Sequence, residues 1–406
     1  MRTLTVVSVL FMCALAGAAQ AEWTGREVTE DGVLHIKNSE TAVTVIRVEP
    51  EALWERGGEN DELFFGRLSQ IVQDAEGNVY VLDSQLSEIL VFSPSGEHLR
   101  TIGREGEGPG EFANVSDMYL SPNGLLGIVR IFPGRIYQIG TDGSPADYFP
   151  LPESGGFQLV HRAQANSDHV VVVTQVTSGE PPNQTQTTAL KAFDLSGNEL
   201  VHYCDVKGKT RFGGMRFDEK TFSNFARRWT LADDGRVAVN LSFDDYTINV
   251  YNADGMLDRV IERPDHQPLK RSKRDYNRFQ KLYDGITQWS PGRTFKVSET
   301  HGAIAGLWFR PDGSLWVLSN RAAFDRPEGL LAGIDEFDRQ GHFTRRIDFV
   351  LEGDPVEDGI FIMGERLYRV TDLFSSFMAA LGGDEEQEDA AEAEPLRLIA
   401  YNLNFD

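Results

Sequence analysis

Cysteine is almost missing from this chain of 406 residues: Cys13 and Cys204 are the only two. Cys13 lies in an apolar run from Leu4 to Ala18 that follows Met1-Arg2 and precedes Ala19-Gln20-Ala21. These are the charged, apolar and small-residue parts of a secretory signal cleaved after Ala21, with export to the periplasm or medium as the consequence. Its removal leaves Cys204 alone, so an intrachain disulfide is excluded and a hydrophobic core must hold the fold. Positive charge is scarce as well: 39 Lys and Arg face 62 Asp and Glu, for a formal net charge of −23. A surface of that sign repels nucleic acid and anionic membrane. No integral membrane segment is expected once the signal is removed. Nucleotide fingerprints are also wanting, because the Gly-rich stretch Gly103 to Gly110 has no Gly-Lys-Ser/Thr after it and opens a strand rather than a helix.

What the chain does have is period-2 alternation of β-branched and aromatic residues almost throughout, with helical periodicity confined to inserts. Tight turns stand at Ala75-Glu76-Gly77, Pro122-Asn123-Gly124, Asn166-Ser167-Asp168, Asp233-Asp234-Gly235, Pro311-Asp312-Gly313 and Glu357-Asp358-Gly359. Three of their spacings sit near about 45 residues and two are longer, as when surface inserts lengthen a repeat. A second set of turns, Ser95-Gly96, Asp142-Gly143, Ser196-Gly197, Asp254-Gly255 and Gln340-Gly341, joins third to fourth strands in five units. The sixth unit has no such turn before the chain ends.

The pattern predicts an all-β fold: one six-bladed β-propeller over residues 22–406, built of four-stranded antiparallel blades. The expected blades are 64–103, 112–150, 157–204, 229–262, 301–349 and 356–402. An orphan strand at 43–48 is expected to pair with the C-terminal blade and close the ring, which would remove an exposed edge. In such a meander the tight Gly turns share one face. The long connections at 177–187, 205–228, 263–300, 320–333 and 372–395 share the other, here called the insert face, and loops clustered on one face of a rigid scaffold are where binding is placed.

The segment Gly103 to Phe112, followed by Asp117-Met118-Tyr119-Leu120-Ser121-Pro122-Asn123-Gly124, resembles the repeat of NHL-type propellers, and most closely that of secreted bacterial six-bladed β-propeller proteins. Clear motif matches run from Phe64 to Phe149. The Pro usual after the Gly-Glu-Phe segment is replaced by Asn114-Val115-Ser116. The resemblance implies a fold and leaves activity open.

Two crossovers are basic in this acidic chain, the first carrying Lys207, Lys209, Arg211, Arg216, Lys220, Arg227 and Arg228, the second Lys270, Arg271, Lys273, Arg274, Arg278 and Lys281. They offer a cationic rim to an anionic ligand, or they neutralise the acidic body from within. Ser272 to Gly285 and Asp372 to Gly383 read as amphipathic helices, and Asp384 to Glu394 as a solvated acidic run. The preferred reading is an exported, non-enzymatic binding or interaction module. Its insert face would take an anionic small molecule, peptide, glycan or protein partner, with Arg162, Arg228, His301, Arg211 and Arg278 as anion anchors and no cofactor. The alternative is a metal-assisted lyase or lactone-type hydrolase, with His161, His301, Asp117 and Glu357 around a divalent cation in the central funnel.

Overall fold

The computed structural model describes residues 22–180, 183–210, 216–222, 225–287, 294–354, 356–382 and 394–403. The expected signal at 1–21, Arg211, and all of the acidic run except Glu394 lie outside them.

Six sheets stand around an axis as a β-propeller. Blade one contains the strands Leu68–Gln73, Val79–Asp83, Glu88–Phe92 and His98–Ile102. Blade two contains Val115–Leu120, Leu125–Arg130 and Arg135–Gly140, with Pro145 bridging Ile139 at the fourth position. Blade three is longer (Phe157–Ala165, Val170–Ser178, Gln184–Phe193, Glu199–Thr210), and blade four short inside (Trp229–Leu231, Val237–Val239, Thr247–Tyr251, Leu257–Glu262). Blade five comprises Ile304–Phe309, Leu315–Ser319, Leu330–Phe337 and Phe343–Val350; blade six has Gly359–Met363, Arg366–Val370 and Arg397–Asn402 from the C-terminal part of the chain.

The reason for the ring lies in the second strands. Val79–Asp83 is buried at every position, so each face of the sheet needs a partner. Six hydrophobic clusters supply it, and each joins two successive blades. Tyr80, Leu82 and Ile89 meet Phe112, Met118 and Ile128, for example, while Leu68, Ile71 and Val79 meet Tyr368, Leu398 and Ala400 across the seam between blades six and one.

The N-terminal segment straps the outside of half the ring. Val33–Lys37 adds in parallel to Leu257–Glu262 of blade four and is itself paired with Arg26–Glu30. Asn38 then pins the strap between blades, its Oδ1 accepting from Trp23 Nε1 and Phe343 N while its Nδ2 donates to Gly341 O. The segment expected to close the ring does not do so. Thr44–Val48 adds in parallel to Phe343–Val350 of blade five, with Ile46 opposite Ile347. It is Ala52–Gly57, further on, that pairs antiparallel with Arg397–Asn402 and becomes the fourth strand of blade six. The strand at 44–48 only packs beside that blade, Ile46 lying against the cluster that contains Ile399. A second correction concerns the sixth turn, which is at Gly364 between Met363 and Arg366 and not at Gly359.

All long connections leave the sheets at one end. There the helix Lys273–Thr287 starts at Ser272, whose Oγ accepts from Asp275 N, and it packs on the helix Leu373–Gly382.

Candidate functional site

The first strands of all six blades line an axial channel of about 790 Å³, contributing Gln70, Asp117, Arg162, Thr230, Leu307 and Phe361 among others. Four of these strands carry a bulge near the insert end, with Ser69, Ser116, His161 and Ala305 as the extra residues. A bulge re-aims the side chains beside it. The residues that follow in blades one, two and three, Gln70, Asp117 and Arg162, consequently meet: Gln70 Nε2 donates to Asp117 Oδ1 at 2.6 Å, and Arg162 Nε stands 4.0 Å from Asp117 Oδ2. Ala163 N donates to the same Oδ2 at 3.0 Å. Burial pushes the Asp117 carboxyl above the usual range, against the pull of the Arg162 guanidinium.

Two further cations complete the mouth. Arg67 is aimed by its own loop: Asp83, fully buried, accepts from the backbone N–H of Gly66, Arg67, Gln85 and Leu86, and Arg67 Nε donates to Ser84 Oγ at 2.8 Å. Arg227 is exposed, and its carbonyl accepts from Arg162 Nη1 at 3.3 Å. Arg162 also lies over the Trp229 ring. Burial lowers the proton affinity of Arg67, Arg162 and His161, and the charge of Arg227 lowers all three further. The mouth thus gathers Arg162 and Arg227 against Asp117, while Arg67, drawn to Asp83 and lying over the Phe377 ring, is repelled by Arg227 as Arg162 is.

The remaining candidates go elsewhere. Arg228 is buried beside the Phe243 ring with its Nε toward Asn240 O, and burial lowers its pKa to about 10. His301 stacks on Phe324 at 3.8 Å, with Asp275 3.8 Å from its Nε2. Arg278 binds Glu357 at 2.6 Å and covers the Phe374 ring, and Ser375 Oγ donates to the other Glu357 oxygen. Hence Glu357 and Arg278 clamp the two insert-face helices. His161 bonds Gln175, Asp117 bonds Gln70, and His301 and Glu357 have the partners just named, so the four proposed metal ligands are not brought together. No group of three or more His, Cys, Asp or Glu side chains gathers among the described residues.

Several cations of the basic crossovers are paired internally. Arg271 takes Glu219, Lys220 takes Asp244 and Lys207 stands 3.8 Å from Asp205. A shallower depression of about 880 Å³ lies at the edge where Ala52–Gly57 meets the lead-in to blade one. Its Asp61 is occupied by the backbone N–H of Gly57 and Leu63. Reading residues from strand starts missed Arg67, which sits just before the first inner strand; a Phe-Phe-Gly-Arg lead-in was its one visible signal.

Residues 59–143 match the family described as DUF5128, 6-bladed beta-propeller. Solved structures similar to the chain include a protein from Bacteroides fragilis, at 14% identity and TM-score 0.45, covering 89% of this chain and 100% of that one. A member of the duf4221 family from Bacteroides vulgatus has 10% identity and TM-score 0.49, covering 87% and 97%. The calcium-binding protein regucalcin from Agrobacterium tumefaciens has 12% identity and TM-score 0.43, covering 89% and 98%. No described helix is long and apolar enough to cross a membrane. The family match over blade one and the three strands of blade two agrees with the six sheets around one axis: this chain is a six-bladed β-propeller.

Proposed function

We infer that the protein is an exported binding module that holds an anionic ligand at the insert-face mouth of its axial channel, without catalysing a reaction. The observation that carries this reading is the convergence of Arg162 and Arg227 on the buried carboxylate Asp117, with Arg67 near enough to Arg227 to be repelled by it. An incoming anion relieves the repulsion among those guanidinium groups and takes charge-assisted hydrogen bonds from them. The rigid ring has already met the entropic requirement of holding them in place. The apolar segment from Leu4 to Ala18, ending in Ala19-Gln20-Ala21, supports export.

Calorimetric titration of residues 22–406 with citrate tests it. Binding is expected in the unaltered protein, weakening as salt is added. Arg162→Ala and Arg227→Ala should each lower affinity by about tenfold or more, since a hydrogen bond to a charged group contributes roughly 1.5–3 kcal/mol. Citrate affinity that survives both substitutions removes the site.

A further inference from the structure

Four aromatic side chains are exposed among the described residues: Phe64 at 66%, Phe132 at 56%, Phe157 at 47% and Tyr148 at 45%. All four stand on the insert face. Phe64 precedes Arg67 in the lead-in to blade one, and Phe157 opens the inner strand that carries Arg162. Phe132 is in the loop between the second and third strands of blade two, and Tyr148 lies where Phe149 N bonds Ile136 O, near the insert end of the third strand.

Two of them form a fixed platform. The Phe132 and Phe157 rings stack with centroids 4.8 Å apart and an interplanar angle of 29°. Backbone bonds from Gly134 N to Gln158 O and from Val160 N to Ile131 O, both 3.2 Å, tie the loop of blade two to the inner strand of blade three beneath them. Arg135 lies over the Tyr148 ring at 4.4 Å on the same side. Exposed apolar surface held rigid beside a cationic mouth is the composition of a binding site, with planar faces to stack on and donors to set orientation.

We propose that the ligand is a short oligosaccharide bearing uronate groups, its sugar rings stacked on the Phe132–Phe157 platform and a carboxylate held by Arg162 and Arg227. This rests on the anion-binding reading and names its ligand class. Sugar rings present apolar C–H faces that suit aromatic rings, and a uronate adds the carboxylate that guanidinium recognises bidentately. Aromatic stations spread over blades one, two and three fit an extended ligand better than a compact one. Two guanidinium groups, Arg162 and Arg227, against the Asp117 carboxylate match a few negative charges, whereas the net charge of −23 opposes a long polyanion such as nucleic acid.

Titration of the mature chain with trigalacturonate, galacturonate, maltotriose and citrate tests the proposal, using the Phe132→Ala/Phe157→Ala double variant and Arg162→Ala. Trigalacturonate is expected to bind about tenfold or more tighter than galacturonate, with that advantage lost in the aromatic variant. Citrate binding should be unchanged in that variant and weakened in Arg162→Ala. If citrate binds through Arg162 but trigalacturonate gains nothing over galacturonate, or keeps its gain without the two aromatic rings, the glycan inference is overturned and the anion site stands. Tighter binding of maltotriose than of trigalacturonate also overturns it. If the unaltered protein binds none of the acidic probes, both readings fall together.

Discussion

Glu219 shows what one buried charge does here. Its two oxygens receive Arg271 Nη1 and Nη2 at 2.6 and 2.7 Å, and one also accepts from Ser298 N at 2.8 Å. Both side chains are 3% exposed. Breaking such a pair leaves an uncompensated guanidinium in the interior, so Glu219→Gln should lower unfolding free energy by about 3–5 kcal/mol in denaturant melts. Nearby, burial pushes His301 down to about 4, with the Arg271 charge adding to the effect and Asp275 and Glu219 opposing it. Unfolded histidine titrates near ~6.5, so the unfolded chain binds the proton first as pH falls. The stability contributed by neutral His301 is therefore complete above about 6.5 and lost as pH falls toward 4. Melting temperatures measured across that window should decline less steeply in His301→Phe, which keeps the stack on Phe324. His266, also lowered to about 4 by burial, contributes in the same direction in both proteins. An equal decline in the variant would show that His301 does not carry the effect.

Elements were legible where local chemistry alone sets them. Gly103, at φ 82°, ends blade one and lets the Phe112 ring approach, since a Cβ there would lie 2.3 Å from Phe112 Cε1. Phe112, 1% exposed, then fills the gap between blades one and two. Phe112→Ala should cost about 3–5 kcal/mol by leaving a cavity that rigid sheets cannot close, as read by chemical denaturation. Both amphipathic helices were likewise visible, from Ser272 and from the apolar stripe at Phe374 and Phe377. Glu357-Asp358-Gly359 misled because Asp-Gly is ordinary turn chemistry. In the fold Asp358 instead accepts from Asp354 N, Asp372 N and Arg369 Nε, organising the approach to the inner strand of blade six. The bulges were hidden too: one extra residue in a strand leaves alternation nearly intact, yet it turns Gln70, Asp117 and Arg162 toward one another.

At the scale of the whole molecule, the N-terminal strap distributes its strands over three blades, and only the last of them completes a blade. Two truncations separate these contributions. A chain beginning at Glu51 keeps Ala52–Gly57 against Arg397–Asn402 and should remain a closed, cooperative propeller of reduced stability. A chain beginning at Glu59 exposes the edge at Arg397–Asn402 and uncovers Tyr368 and Phe92 where Trp54 stacks, so cooperative melting should be lost and dye-binding apolar surface should appear. If the first truncation were as disruptive as the second, closure by Ala52–Gly57 would be wrong.

Composition and periodicity by themselves determined the all-β class, the number of repeats, the side on which the long connections emerge and the importance of a hydrophobic core over disulfides, because each follows from local alternation, turn residues and cysteine count. Tertiary structure decided which N-terminal strand closes the ring and which arginines reach the mouth. Asp117, Arg162 and Arg227 are far apart in sequence and meet only because inner strands of successive blades converge on one axis. Arg228 and Arg278 carry the same charge but are turned into the packing between elements, where their partners are carbonyl oxygens, aromatic rings and, for Arg278, Glu357.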